Sequence, residues 1–186
     1  ESNARKEHIL HMKPALVKKS GLATDDSNIR PPAPSSATSS PRSILKAGVR
    51  IQYDAHSLLS SWYDTRYTDW EPDSFLVFQR FINDDSIVLD VGAWIGPTCL
   101  WLAHRAKYTV CLEPTPAAFA ALQRNLQQNT NLRPDAVQLV NSALSDTKQV
   151  AAMTNYGNSM DRLDLARRRL SQSNMTHVDV TTVEEL

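Results

Sequence analysis

Residues 87–113, IVLDVGAWIGPTCLWLAHRAKYTVCLE, constrain the fold more than any other stretch of the chain. Ile87, Val88, Leu89, Asp90 and Val91 form a short apolar run that carries one carboxylate and meets Gly92. A buried parallel strand ending at the working edge of a sheet reads this way. Beyond Pro97 and Thr98, Cys99, Leu100, Leu102 and Ala103 supply the apolar face of a helix, and the β-rich run from Tyr108 to Leu112 stops at Glu113. Strand, tight glycine turn, helix, strand and acid, in that order, predict an α/β chain of Rossmann-like fold with a parallel central sheet. A nucleotide-type ligand lies over the carboxyl ends of such strands. Gly92 and Gly96 would let backbone come close to it, and Glu113 would accept hydrogen bonds from a ribose.

The flanking segments fit the same plan. Residues 44–53 supply a small strand or lead-in, and 55–63 a short helix. After Trp70, Glu71 and Pro72, either Asp73 or Ser74 caps a helix carrying Phe75, Leu76, Phe78, Phe81 and Ile82, which packs beside the sheet and brings the Trp70-Glu71 turn towards its carboxyl edge. Thr115 is an N-cap with Pro116 at the first helical position, and Phe119, Leu122 and Leu126 recur at helical spacing, so a helix runs over 116–129. Residues 137–140 are a third strand, ending in the small and polar residues Asn141, Ser142, Ala143, Leu144, Ser145 and Asp146. Further on, 150–153 reads as an edge strand, 155–159 as a turn, 161–170 as a helix and 178–180 as a last strand, with Thr182 capping a final helix.

Residues 1–43 form a separate region. The stretch 29–41, IRPPAPSSATSSP, cannot bury enough surface to offset the entropy of ordering, so we expect a disordered Pro/Ser-rich leader and linker ahead of a domain over 44–186. The leader is basic: the first fifty residues hold nine Lys/Arg against four Asp/Glu, while the whole chain balances 20 against 20. With no net charge, the chain gives no electrostatic argument for nucleic acid or an anionic membrane as partner. No run approaches the roughly 20 apolar residues of a membrane span. His8 and His11, three apart without a further ligand nearby, are expected as surface residues, and no metal is expected. Arg167, Arg168 and Arg169 read as a solvated helix face. Cys99 and Cys111 lie in no metal-ligand or redox spacing; they read as small buried hydrophobes and lean the compartment towards a reducing, intracellular, cytoplasmic one.

Glycine spacing sorts the possible nucleotides. A phosphate-cradling Gly-x-x-x-x-Gly-Lys-Ser/Thr loop is absent, since Pro97 follows Gly96. A dinucleotide site needs Gly-x-Gly-x-x-Gly so that a pyrophosphate can rest on helix amides, but the second residue after Gly92 is Trp94. A cofactor with ribose and adenine but no phosphate needs less: a carboxylate at the first strand end, room for an amino-acid tail, and an acid for the ribose. S-adenosylmethionine fits, with Asp90 near its amino-acid end, Gly92 and Gly96 lining the turn, and Glu113 on the ribose.

The segment 70–186 resembles the FkbM-type family of S-adenosylmethionine-dependent methyltransferases. The resemblance is carried by Val88, Leu89, Asp90, Val91, Gly92, Ala93, Trp94, Ile95, Gly96 and Pro97; then by Leu112, Glu113, Pro114, Thr115 and Pro116 with Phe119 and Leu122; then by Asn125 and Asn129; and by Asn141, Ser142, Ala143, Leu144 and Asp146. Trp70, Glu71 and Pro72 resemble the family's lead-in. The resemblance implies a class I methyltransferase fold and methyl transfer, often to a hydroxyl of a sugar or small metabolite, which makes a small-molecule or glycan acceptor the expected partner. It implies that Asp90, Gly92, Ala93, Trp94, Gly96 and Glu113 line the cofactor, that Ser142 and Ala143 flank its adenine, and that Trp70 and Glu71 close over it.

The resemblance covers about the first half of the family's domain. Its fourth central strand, reading like Lys-x-Asp-x-Glu-Gly-x-Glu, has no counterpart here, so no catalytic residue is named, and the half-sheet should expose an apolar strand edge. Two other functions stay open on the residues alone: a fragment of an NAD-dependent oxidoreductase, and a non-catalytic Rossmann-like interaction domain.

Overall fold

A computed structural model describes residues 42–55, 61–133, 135–154, 163–164 and 175–186. The expected leader up to residue 41, with His8 and His11, the turn at 155–159 and the arginine run lie outside these residues.

The chain opens with a hairpin, β1 (Arg42–Lys46) and β2 (Val49–Tyr53), paired antiparallel about Ala47 and Gly48. Both turn residues have positive φ, the geometry that matches the twist of two tightly joined strands. A short helix α1 (Ser61–Thr65) and a 3-10 turn (Tyr67–Asp69) lead to α2 (Pro72–Phe81). Helix α2 starts at Pro72, one residue ahead of the expected cap, because proline at the first helical position already has the required φ. Glu71 takes the N-cap position, and its carboxylate accepts the Ser74 hydroxyl at 3.2 Å.

The central unit follows the predicted order: β3 (Ile87–Val91), α3 (Pro97–Ala103), β4 (Tyr108–Leu112), α4 (Pro116–Gln128) and β5 (Val137–Val140). The three strands make a parallel sheet in the order β3-β4-β5, with Asp90 beside Cys111 and Val91 beside Leu112. The molecule is therefore an α/β protein with a three-stranded parallel sheet. Strand β4 is buried throughout all but its first residue, whereas β3 is an edge strand, and Ile87, Leu89 and Val91 are exposed instead of buried as its apolar composition predicts. Among the described residues β3 is hydrogen-bonded on one side only, and Ile87, Leu89 and Val91, which share one face of the sheet, lie open to water.

The remaining strands do not extend this sheet. A second sheet, in the order β6-β9-β7-β8, joins β6 (Ala143–Leu144), β9 (Met175–Thr181), β7 (Gln149–Thr154) and β8 (Leu163–Asp164). Leu163 and Asp164 are thus strand where a helix over 161–170 is expected, and residues 183–185 form a single 3-10 turn in place of a final helix.

The largest cluster of buried residues lies between the hairpin, the α1–α2 segment and α3. Trp101, Tyr63, Tyr67, Phe75, Ile51, Ile95 and Leu100 are its largest fully buried members, and the rings of Tyr67, Phe75 and Trp101 meet edge to face. Lys46 is buried beneath them. Its ammonium donates to the carbonyls of Tyr67, Thr68 and Trp70 and lies 4.7 Å from the centre of the Phe75 ring. Burial pulls its pKa below the usual lysine value, opposed by the charges of Asp69 and Glu71. A second cluster, Ala93, Cys99, Cys111 and Leu122, packs α3 and α4 onto the sheet. There the two cysteines are joined as a disulfide, not free as expected, with Cα atoms 6.1 Å apart. Two cysteines twelve residues apart give no sequence signal of pairing; the helix-to-strand packing brings them together. The bond also removes the cysteine argument for a reducing compartment.

Candidate functional site

Strands β3 and β4 end side by side, which places Asp90 and Glu113 at one edge of the sheet. Between them the chain turns through Gly92 (φ +85°), Trp94 (φ +48°) and Gly96 (φ +100°). This turn is bonded to the end of β4. The Gly92 and Ala93 amides both donate to the Leu112 carbonyl, at 2.9 and 2.8 Å, and the Trp94 amide donates to Glu113 Oε2 at 2.8 Å. The Gly96 amide closes the turn on the Ala93 carbonyl.

Glu113 is a buried carboxylate with a structural task. Its Oε1 accepts the Thr115 amide at 2.7 Å while Oε2 holds Trp94, so the acid expected to meet a ribose also fixes the glycine turn and the start of α4. Asn141 completes the edge by donating to the Glu113 and Pro114 carbonyls. Asp90 is less well served. Its Oδ2 is buried without a hydrogen-bond partner. Burial, and next the charge of Glu113, push its pKa up to about 6.

The two glycines do different work. A Cβ on Gly92 would meet no atom within 4 Å, so space is open there, as a ligand tail requires. A Cβ on Gly96 would lie 2.8 Å from Leu122 Cδ1. Gly96 therefore lets α3 approach α4 and does not open room for a ligand as expected.

Other expected site residues are held differently. Trp70 packs against Trp62, Tyr67 and Phe75; it reaches the turn through Trp62, whose ring stands edge-on to Trp94 at 5.1 Å. Glu71 is exposed and engaged with Ser74 at the start of α2. An open cavity of about 380 Å³ lies along Trp62, Thr65, Arg66, Asp69 and Trp70. The Ser142 hydroxyl donates to the Asp179 carbonyl at 2.9 Å, and Ala143 packs with Ala151, Met153, Val178 and Val180 in the core of the second sheet. The second sheet meets the start of α4 where the Thr115 hydroxyl donates to the Met153 sulfur at 3.8 Å.

Several residues that support the site are not among the site residues expected from the sequence. The Ile95 carbonyl, in the middle of the turn, accepts from Tyr63 at 3.1 Å and from Asn125 at 2.8 Å, and the Pro97 carbonyl accepts from Tyr67. Burial raises the Tyr63 and Tyr67 pKa values well above the usual range, so both hydroxyls stay protonated donors. Asn129, one helical turn after Asn125, both donates to and accepts from the Gln52 backbone, acting as a substitute strand edge for β2. These asparagines share the buried face of α4 with Ala118, Ala121 and Leu122, and an amide on an apolar stripe is the signal that a bonded polar contact lies opposite.

No protein-family model matches the chain, and no curated protein matches it in sequence. Among solved structures, 35% of the chain is similar to 34% of precorrin 8W decarboxylase from Methanobacterium thermoautotrophicum, with 27% identity and a TM-score of 0.32. Likewise 59% of the chain is similar to 34% of Trm5b from Pyrococcus abyssi, with 19% identity and a TM-score of 0.35. The chain spans about a third of the length of each, and superpositions this loose bear on neither fold nor function.

Proposed function

We propose that this chain carries the cofactor-binding part of an S-adenosylmethionine-dependent methyltransferase of the FkbM type, acting on a hydroxyl of a sugar or small metabolite. Support comes above all from the glycine turn. The N–H groups of Gly92, Ala93, Trp94 and Gly96 are all bonded within the chain, so these four amides are not offered to a pyrophosphate. Two carboxylates flank it, and one oxygen of Asp90 lacks a partner. An acidic edge repels phosphate and attracts a cation, which favours a cofactor bearing ammonium and sulfonium charges over NAD.

The residues present fit such a cofactor. Asp90 has a free acceptor for an ammonium group, and Gly92 leaves open space beside it. When bound, the cofactor supplies an activated methyl group. The contribution of this chain is to hold it in a fixed orientation, with Tyr63, Tyr67 and Asn125 bracing the turn from behind and the tryptophans Trp62 and Trp94 shielding one side from water.

Calorimetric titration of the full chain with S-adenosylhomocysteine and, separately, with NAD tests the proposal. Binding of the first and not the second is expected, weakened at least ten-fold by Asp90→Ala. Heat with NAD alone would overturn it, and silence with both would favour a non-catalytic domain.

A further inference from the structure

Beneath the turn, three potential metal ligands converge. A carboxylate oxygen of Asp90 and the sulfurs of Cys99 and Cys111 all lie within 4.8 Å of one another. Both cysteines are fully buried, and Asp90 Oδ2 is buried with no partner. A buried carboxylate oxygen left unpaired calls for a missing donor or ion, and a disulfide has no proton to give.

We propose that Asp90, Cys99 and Cys111 form a redox-gated site for a thiophilic divalent cation, Zn²⁺ in the first instance, closed while the disulfide stands and open once a thiol reductant breaks it. A dithiol delivers two electrons and two protons to the S–S bond, yielding two cysteine thiols and its own cyclic disulfide. Zn²⁺ then binds both sulfurs as thiolates, and their two protons leave to solvent. About a tetrahedral zinc with Zn–S near 2.3 Å, two sulfurs stand roughly 3.8 Å apart, so each moves by about 1 Å from its bonded position. With the Cα atoms 6.1 Å apart, side-chain rotation suffices. Two thiolates and a carboxylate make a three-ligand set that leaves the fourth position to water, and thiolate ligands select zinc over magnesium or calcium.

The test uses the full chain reduced with a phosphine, which takes up water to become its oxide while the disulfide becomes two thiols, and titrated without air with Co²⁺ in place of Zn²⁺. A near-ultraviolet thiolate-to-metal band saturating at one Co²⁺ per chain, displaced by Zn²⁺ and not by Mg²⁺, is expected from the reduced protein and not from the oxidised one. Asp90→Asn should keep the band and weaken Co²⁺ binding ten-fold or more, while Cys99→Ser or Cys111→Ser should abolish it. Cobalt bound without the thiolate band, bound equally by the oxidised chain, or bound with unchanged affinity by Asp90→Asn would overturn the proposal. The wild-type comparison needs no variant to fold. Competition between Zn²⁺ and S-adenosylhomocysteine for Asp90 is a corollary that rests on the proposed function; the cobalt spectrum does not, so a chain that shows the band but never binds S-adenosylhomocysteine overturns only the cofactor assignment.

Discussion

The carboxylate of Glu113 holds the backbone amide of Trp94 at 2.8 Å, across nineteen residues of sequence. Since the other oxygen holds Thr115, the side chain at the end of β4 sets the shape of the turn that ends β3. Glu113→Gln keeps the size, removes the charge and turns an NH₂ group towards one of the two amide donors. We expect it to lower unfolding free energy by about 2–4 kcal/mol, read from urea denaturation. A loss below about 0.5 kcal/mol would show that the turn does not depend on this carboxylate.

Gly96→Ala should be much worse than Gly48→Ala, although both glycines have positive φ. At Gly48 the new methyl meets nothing within 4 Å and the cost is backbone strain alone, about 1 kcal/mol. At Gly96 it meets Leu122 at 2.8 Å, adding roughly 1–3 kcal/mol of overpacking. Trimming Leu122 to Ala in the Gly96→Ala background should return part of that second contribution, and equal thermal midpoints for the two single variants would contradict the close approach of α3 and α4.

Tyr63→Phe and Asn125→Ala each remove one donor from the Ile95 carbonyl. Asn125→Ala also strips the Asp54 amide of its acceptor, so it should cost about 2 kcal/mol against about 1 for Tyr63→Phe. Because the two donors share one acceptor, the double variant should lose more than the sum, by about 0.5 kcal/mol or more in a double-mutant cycle. Strict additivity would place the two residues in separate roles.

Asp90 makes stability depend on pH with a definite sign. Its folded pKa, about 6, lies above the ordinary 3.8, so the native state binds this proton more tightly than the unfolded chain. Stability from this group is complete below pH 4 and falls as pH rises to 6, by about 3 kcal/mol at most. Asp90→Asn should remove that fall, leaving the variant less sensitive than wild type over pH 4–6.5 in urea unfolding with the disulfide intact. The same decline in both proteins would place the responsible group elsewhere.

Much of the central unit is legible in the sequence because its signals are local. The apolar runs of β3, β4 and β5 and the Thr115-Pro116 start of α4 each state their own geometry, and the acids at the strand ends follow from strand length. Thr115 stands at the N-cap as its neighbours predict, yet its hydroxyl turns to Met153, a choice made by the second sheet. What stays hidden depends on packing between distant segments. Nothing near Cys99 announces Cys111, and nothing in Trp70 indicates that Trp62 would take the place beside the turn. Ser142 and Ala143 follow Asn141 at the predicted edge, but their partners come from β9, and the separate sheet this creates is not written in the short apolar runs that compose it.

Both donors to the Ile95 carbonyl come from at least thirty residues away, one on each side of it. The Gly96 amide closes the turn locally on Ala93, but bracing it at Ile95 requires two long chain segments to be brought in, at the entropic cost that slows non-local contacts. We therefore expect the braced turn to form late on the folding path. In the unfolding direction it is lost when either the α1 segment or α4 lets go, so the part of the molecule that meets a ligand has the lifetime of its most weakly docked support.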